Sequence, residues 1–356
     1  TVARFGGDEF VLLLESLSED IAHAAVQARA VGEKVLHSLS QPYQLEGSEF
    51  HSSSSMGVTL FINYKDTMDE LLKQADTAMY EAKKSGRNTL RFFDPAMQQE
   101  LESRAQTEVG LREALRLNEF ELYYQPQVDQ LGHVIGAEVL LRWIHPKRGL
   151  IPPLQFIPLA EENGLILPIG RWVLETACRQ ISIWAQDAVT RDLKLAVNVS
   201  ARQFRQADFV QQVREILAST AIDPTRLKME LTESVLLDDI GDSIAKMHAL
   251  KELGISFSMD DFGTGYSSLA YLTRLPLDQL KIDQSFVQHI GSKSSDAAII
   301  QTIIGMANNL GMEVIAEGVE TQAQRDFLEW NGCKLYQGYL FSRPVPLADF
   351  SQLLQK

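Results

Sequence analysis

The last two thirds of the chain repeat one pattern: a short apolar run that ends in a carboxylate, an amide or a lysine, mostly followed by a helical stretch. The polar ends are Glu138 in GAEVLLRW, Asn198 in LAVNVS, Glu230 in KMELTES, and Asp260 with Asp261 in SFSMDDFGTG. Lys281 in LKID, Glu317 in VIAEGVE and Gln337 in LYQGY complete the series. Alternating strands and helices of this kind close into a βα barrel, whose C-terminal strand ends converge on one face and build the active site. Chance would scatter polar groups over both ends of such a barrel. Carboxylates gathered in one pocket repel each other unless a cation sits among them, so the pattern implies hard divalent metals and metal-assisted hydrolysis.

Strand patterns fall at 120–127, 134–143, 193–199, 227–231, 255–260, 278–282, 313–317 and 335–339, and helical patterns at 154–163, 170–186, 208–219, 241–253, 296–310 and 321–331. This α/β alternation fits a TIM-like (β/α)8 barrel over residues 119–356. The first connection, Asp129-Gln130-Leu131-Gly132, is short enough to be a hairpin, so the first strand is expected to run antiparallel. Residues 94–118 begin at Asp94-Pro95 and are rich in helix formers, which predicts a helical connector. Residues 1–93 predict a smaller α/β unit: a hairpin around Gly6-Gly7, a helix over 19–39, paired strands over 43–50 and 53–61, and a helix over 68–85 that stops at Gly86.

The formal net charge is −14 and no basic run is present, which argues against a nucleic-acid duplex or an anionic membrane surface as partner. A small phosphorylated ligand stays compatible, because local metals and arginines override the global field. Cys178 and Cys333 stand in no disulfide-like framework, pointing to a reducing, cytoplasmic setting. No apolar run reaches membrane-spanning length. The chain starts without Met on what reads as the end of a strand, so it is expected to be a fragment of a longer parent protein.

Strand alternation puts Glu138, Leu140 and Arg142 on one face and Val139 with Leu141 on the other. A carboxylate for a metal and a guanidinium fork for a phosphate then lie side by side, although a plain Glu–Arg ion pair has the same spacing. Asn198 reads as a ligand or a cap, Glu230 as a buried acid needing a partner, and Glu233 as a residue that orients a loop. Two adjacent carboxylates at 260 and 261 suit a two-metal site; the competing reading is a cap for the next helix, near 267–272. The polar stretch Gly263-Thr264-Gly265-Tyr266-Ser267-Ser268 suits a mobile lid and fails the GxGxxG spacing at Ser268. Lys281 and Asp283 alternate onto one face, Glu317 is a base candidate, and Gln337 can hold substrate or water. His145 precedes Pro146 and no HxH or HxxxH spacing occurs, which argues against a zinc site.

On these residues the chain resembles the EAL-domain phosphodiesterases, which hydrolyse cyclic di-GMP to linear pGpG. The motifs EVLLR, NVS, ELTES, DDFGTGYSSL, KID, EGVE and QGYLFSRP follow in order across about 105–356. The resemblance implies that Glu138, Asn198, Glu230, Asp260 and Asp261 hold two Mg²⁺ or Mn²⁺ ions. It implies that Lys281 and Glu317 act on the attacking water, and that Gln125, Leu140, Arg142 and Gln337 position the substrate. The tripeptide here is Glu138-Val139-Leu140; Val139 faces outward, so its change from alanine is expected to alter packing against the helices rather than ligation. Some family members are silent cyclic di-GMP receptors that signal through a protein partner, which is the rival expectation; the complete metal set favours the enzyme.

Residues 1–93 resemble the C-terminal part of a GGDEF (diguanylate cyclase) domain through Gly6-Gly7-Asp8-Glu9-Phe10 and ADTAMYEAKKSGRN at 75–88. That likeness implies close approach of a guanine nucleotide at Gly6 and Gly7, Mg²⁺ at Asp8 and Glu9, and phosphate at Lys83 and Arg87. The family's upstream metal-binding Asp is not in this sequence, so cyclase activity is not expected of the chain as given. GTP at this half is a third expectation, and a homodimer through the barrel, by way of the loop after Asp261, a fourth.

Overall fold

The computed structural model describes residues 1–45, 48–50, 52–62, 66–233, 235, 239–263, 272–290 and 294–354. The predicted lid at 264–268, the predicted helix near 267–272 and the loop assigned to a dimer contact lie wholly or largely outside them. The chain divides into two compact units, Thr1–Val109 and Gly110–Lys356.

In the first unit β1 (Val2–Gly6) and β2 (Glu9–Leu12) form an antiparallel hairpin. Helix α1 (Ile21–Leu39) starts where the Asp20 side chain accepts from the His23 backbone N–H at 2.7 Å. Helix α2 (Met68–Lys84) starts at a capping box in which Thr67 and Glu70 satisfy each other's backbone N–H. Ala25, Ala28, Leu36, Leu90 and Phe92 form the small core. The strand pairing departs from expectation. β3 (Tyr43–Leu45) pairs antiparallel with β4 (Ser48–Phe50), while β5 (Met56–Val58) pairs in parallel with β6 (Leu90–Phe92). A parallel partner requires a crossover, and α2 supplies it. Gly57 lets β5 lie close on α2, since a Cβ there would sit 1.9 Å from the Ala75 carbonyl oxygen. Helix α3 (Pro95–Ala114) follows.

The second unit is an eight-stranded closed barrel with helices around it. Its strands are β7 (Phe120–Asp129), β8 (Val134–His145), β10 (Lys194–Asn198), β11 (Leu227–Thr232), β12 (Ser256–Phe262), β13 (Gln279–Ile282), β14 (Glu313–Ala316) and β15 (Leu335–Gln337). From β8 to β15 neighbours run parallel; β7 closes the ring antiparallel to both β8 and β15, as its short hairpin predicts. Strands β9 (Gly149–Ile151) and β16 (Val345–Pro346) extend the sheet beside β8 and β7. These two, with the short helices Ala201–Phe204 and Gln284–Val287 and the last helix Leu347–Leu353, went unpredicted, being too short for periodicity to register.

Alternation sorts the barrel. Leu227, Met229 and Leu231 of β11 join the apolar layer under the helices, whereas Lys228 and Glu230 take the other face. Val139 is 2% exposed and lies opposite Tyr124 in register; the Tyr124 ring packs on Trp184 and Phe350, so Val139 belongs to the outer layer. Close strand approach depends on Gly136, where a Cβ would lie 2.4 Å from the Lys194 carbonyl oxygen. Gly136→Ala should push β8 from β10 and cost about 1–3 kcal/mol, read as a fall of several degrees in Tm; an unchanged melt would show that the sheet yields there.

Candidate active site

At the C-terminal ends of the parallel strands the cluster centres on one ammonium. Lys281 is 1% exposed, and its Nζ lies 2.6 Å from Glu230 Oε2, 2.6 Å from Glu317 Oε1, 3.0 Å from Asp260 Oδ1 and 3.8 Å from Glu138 Oε2. Four strands thus deliver four carboxylates to one lysine from a fifth: Glu317 sits just past β14, Glu230 and Asp260 stand two residues before the ends of β11 and β12, and Glu138, expected at a strand end, lies in the middle of the long β8. Burial works against the Lys281 charge, but the surrounding carboxylates outweigh it and hold its pKa well above the ordinary lysine value.

A chain of amides braces the other side of Glu138. Asn198 Nδ2 donates to Glu138 Oε1 at 2.6 Å, and Gln337 Nε2 donates to Glu138 Oε2. The same Gln337 nitrogen donates to Gln125 Oε1 at 3.1 Å, while Gln127 Nε2 donates to Gln337 Oε1 at 3.0 Å. Gln127, 3% exposed, therefore fixes which way the Gln337 amide points. Sequence reading passed over Gln127, although it stands two residues from Gln125 and so on the same strand face.

Asp260 and Asp261 should point to opposite faces of a regular strand. The structure overrides this in two ways: the β12–β13 register shifts between Met259 and Phe262, and Asp261 takes φ +53°, in the left-handed region. As a result single carboxylate oxygens of Asp260, Asp261 and Glu317 lie within 4.8 Å of one another. Asp283 does not continue the Lys281 face as expected. The strand stops at Ile282, and Asp283 caps the Gln284–Val287 helix and hydrogen-bonds Asp261. Burial pushes the Asp261 carboxyl up to about 6, with Asp260 and Asp283 adding to the effect.

These residues fit hard divalent cations. The donors are carboxylate and amide oxygens, the ligand type such ions take. Glu230 Oε1 is buried and has no hydrogen-bond partner. Burial lifts the Glu230 carboxyl to about 8, with Lys281 opposing and Glu138 and Asp260 reinforcing; burial likewise holds Glu317 well above the usual carboxylate range. Acids disfavoured as anions are ones a cation would ionise and bind.

Arg142 and Leu140 stand on the Glu138 face toward the rim, both half-buried. The Arg142 guanidinium lies 5.5 Å from the Tyr123 ring centroid and donates to the Leu141 carbonyl at 2.9 Å, so it makes no ion pair with Glu138 among the described residues. Glu233 is buried, and neither carboxylate oxygen has a hydrogen-bond partner. In the first unit Gly6, Gly7, Asp8 and Glu9 are exposed in the hairpin, Gly7 at φ +51°, and Arg4 donates twice to the Gly7 carbonyl. Lys83 and Arg87 are exposed, and no ion pair joins them to Asp8 or Glu9 among the described residues.

A family model described as EAL domain matches residues 108–344, and one described as diguanylate cyclase, GGDEF domain, matches residues 1–89. The bifunctional diguanylate cyclase/cyclic di-GMP phosphodiesterase MucR of Pseudomonas aeruginosa is 45% identical over 347 residues, covering 97% of this chain and 50% of that protein. The cyclic di-GMP phosphodiesterase PdeR of Escherichia coli is 37% identical over 351 residues, covering 99% of this chain and 52% of its own length. The chain thus spans about half the length of these curated relatives. Among solved structures, a PaMucR phosphodiesterase in complex with c-di-GMP superposes with TM-score 0.67 at 45% identity, over 69% of this chain and 99% of that one. The EAL enzyme Bd1971 with cAMP and cyclic di-GMP bound gives 0.68 at 34% identity, over 81% and 76%.

Lys281→Met would leave four carboxylates facing one another. Stability at neutral pH should fall by about 3–5 kcal/mol, the order for breaking a buried charge pair. Added Mn²⁺ should raise Tm more in the variant than in the parent. Melts with and without Mn²⁺ test this, and no Mn²⁺ response in either protein would show that the carboxylates are not a cation site.

Proposed function

The chain belongs to the EAL-domain family with a GGDEF-domain segment ahead of it, and from that premise we propose that it is a metal-dependent phosphodiesterase hydrolysing cyclic di-GMP to linear pGpG. The observation that carries this reading is the Lys281-centred carboxylate cluster at the strand ends, with a buried Glu230 oxygen left unpartnered. The relatives' names and the c-di-GMP complex of a similar structure support the substrate.

Glu138, Asn198, Glu230, Asp260 and Asp261 would hold two Mg²⁺ or Mn²⁺ ions. When bound, such ions lower the pKa of water to give a nucleophile at neutral pH and neutralise the charge of an in-line displacement at phosphorus. The chain's own residues do the rest. Lys281 Nζ holds Glu230 and Glu317 in fixed positions; with cations bound beside it Glu317 would be ionised and able to take the proton of the attacking water, the P–O3′ bond breaking as the new P–O bond forms and the 3′ oxygen taking a proton from solvent. Arg142, free of a carboxylate partner among the described residues, offers its fork to a phosphate, and its stacking on Tyr123 pre-orders it for that task. Gln337, oriented by Gln127, aims its amide N–H₂ at Glu138 and Gln125. Leu140 gives the substrate an apolar contact on the same face.

In functional terms the chain reads as a GGDEF segment over 1–93, a connector over 94–118 and the phosphodiesterase over 119–356. GTP at the Gly6–Glu9 turn is supported by its exposed, left-handed Gly7. A homodimer through the barrel rests on sequence alone. No helix among the described residues is long and apolar enough to cross a membrane, and a cytoplasmic location rests on the cysteine usage.

Purified chain with Mg²⁺ or Mn²⁺ should convert cyclic di-GMP to pGpG, and Glu138→Ala should lower kcat at least about 100-fold, the order seen when a key transition-state group is lost. Tight binding by a folded sample without product would overturn the enzyme in favour of a receptor. Val139→Ala, a change in the outer layer, should alter Tm more than the metal requirement. A change in metal dependence would place residue 139 in the site.

A further inference from the structure

One layer deeper than the site, three adjacent strands carry a second polar set. Lys228 stands two residues before Glu230 on β11, Ser258 two before Asp260 on β12, and Gln279 two before Lys281 on β13. Alternation therefore places each on the same inner face as the site residue that follows it. They are 6%, 0% and 1% exposed. Lys228 Nζ reaches over β12 and donates to Gln279 Oε1 at 2.8 Å, and Ser258 Oγ donates to the same oxygen at 3.3 Å. An ammonium can only donate, so this contact decides which way the Gln279 amide points. The choice leaves Gln279 Nε2 buried without a hydrogen-bond partner.

Barrel interiors are ordinarily filled by branched apolar side chains. A buried lysine and a half-satisfied amide are less stable than such a filling, so packing alone gives no reason for them. Their placement gives one. The three side chains tie β11, β12 and β13 together immediately below the atoms whose spacing the site depends on.

We propose that Lys228, Ser258 and Gln279 form a positioning layer that keeps Glu230, Asp260 and Lys281 at working separation, an inference that rests on the phosphodiesterase reading. None of the three touches the reacting atoms. They act through the residues above them.

The test uses the full chain with Lys228→Met, Lys228→Arg and Ser258→Ala, measuring kcat and KM for cyclic di-GMP with Mn²⁺, Mn²⁺ affinity by calorimetry without substrate, and Tm. Lys228→Met should lower kcat about tenfold, because small misplacements of reacting groups are costly. Its KM should stay within about twofold and its Mn²⁺ affinity should fall. Lys228→Arg, which keeps a donor toward Gln279, should recover most of the loss. Should Lys228→Met fail to fold, Ser258→Ala decides: it removes one bond at little volume cost and should reduce kcat about two- to threefold at unchanged Tm. Unchanged kcat and Mn²⁺ affinity, or losses that merely follow Tm and are not rescued by Arg, would overturn the proposal. A parent chain inactive on cyclic di-GMP would instead sink the phosphodiesterase reading, and the Mn²⁺ titration would still decide the layer.

Discussion

A single buried ammonium holds this site together. Lys281 would be expensive to place in a barrel core on its own, and Glu138, Glu230, Asp260 and Glu317 would be more so. Each makes the other tolerable, and the geometry of the parallel strands follows from that need: the strands must deliver their carboxylates to one nitrogen within hydrogen-bond or ion-pair reach. With four carboxylates around one ammonium, acid exceeds base, and the cluster is not a closed salt bridge. A structural network would satisfy every oxygen, whereas Glu230 Oε1 is left over.

The antiparallel strand β7 matters for the same reason. Reversing one strand brings Gln125 and Gln127 beside β15, where Gln337 bridges them to Glu138. The ring of eight strands is closed at its odd junction by amides, which satisfy one another without adding charge to a pocket already crowded with it. The cluster thus has a wall of fixed amide dipoles on one side and a wall of carboxylates on the other.

Much of this was legible in the sequence, because the barrel's two demands leave the same mark. Apolar alternation locates strands, and a polar residue at the end of each marks the functional face, so Glu138, Asn198, Glu230, Asp260, Lys281, Glu317 and Gln337 could be named before any coordinates. What stayed hidden depends on non-local geometry. The pairing of β5 with β6 joins segments separated by a helix, and local alternation reports only neighbours along the chain. Asp283 follows Lys281 at strand spacing, but the strand ends one residue too early for the rule to hold. Gln127 and Lys228 look like ordinary strand residues, since their meaning comes from partners 210 and 51 residues away.

Asp261 shows how closely backbone and chemistry can be bound together at one position. Its left-handed φ of +53° brings it into reach of Asp260 and Glu317, and apart from glycine, asparagine and aspartate are the residues that tolerate that conformation best. The native residue therefore supplies two properties at once, the turn and the charge. An alanine substitution disturbs both and cannot assign a loss to either. Asparagine keeps the turn while removing the charge, and glycine keeps the turn while removing the side chain. The two together separate what the native residue combines.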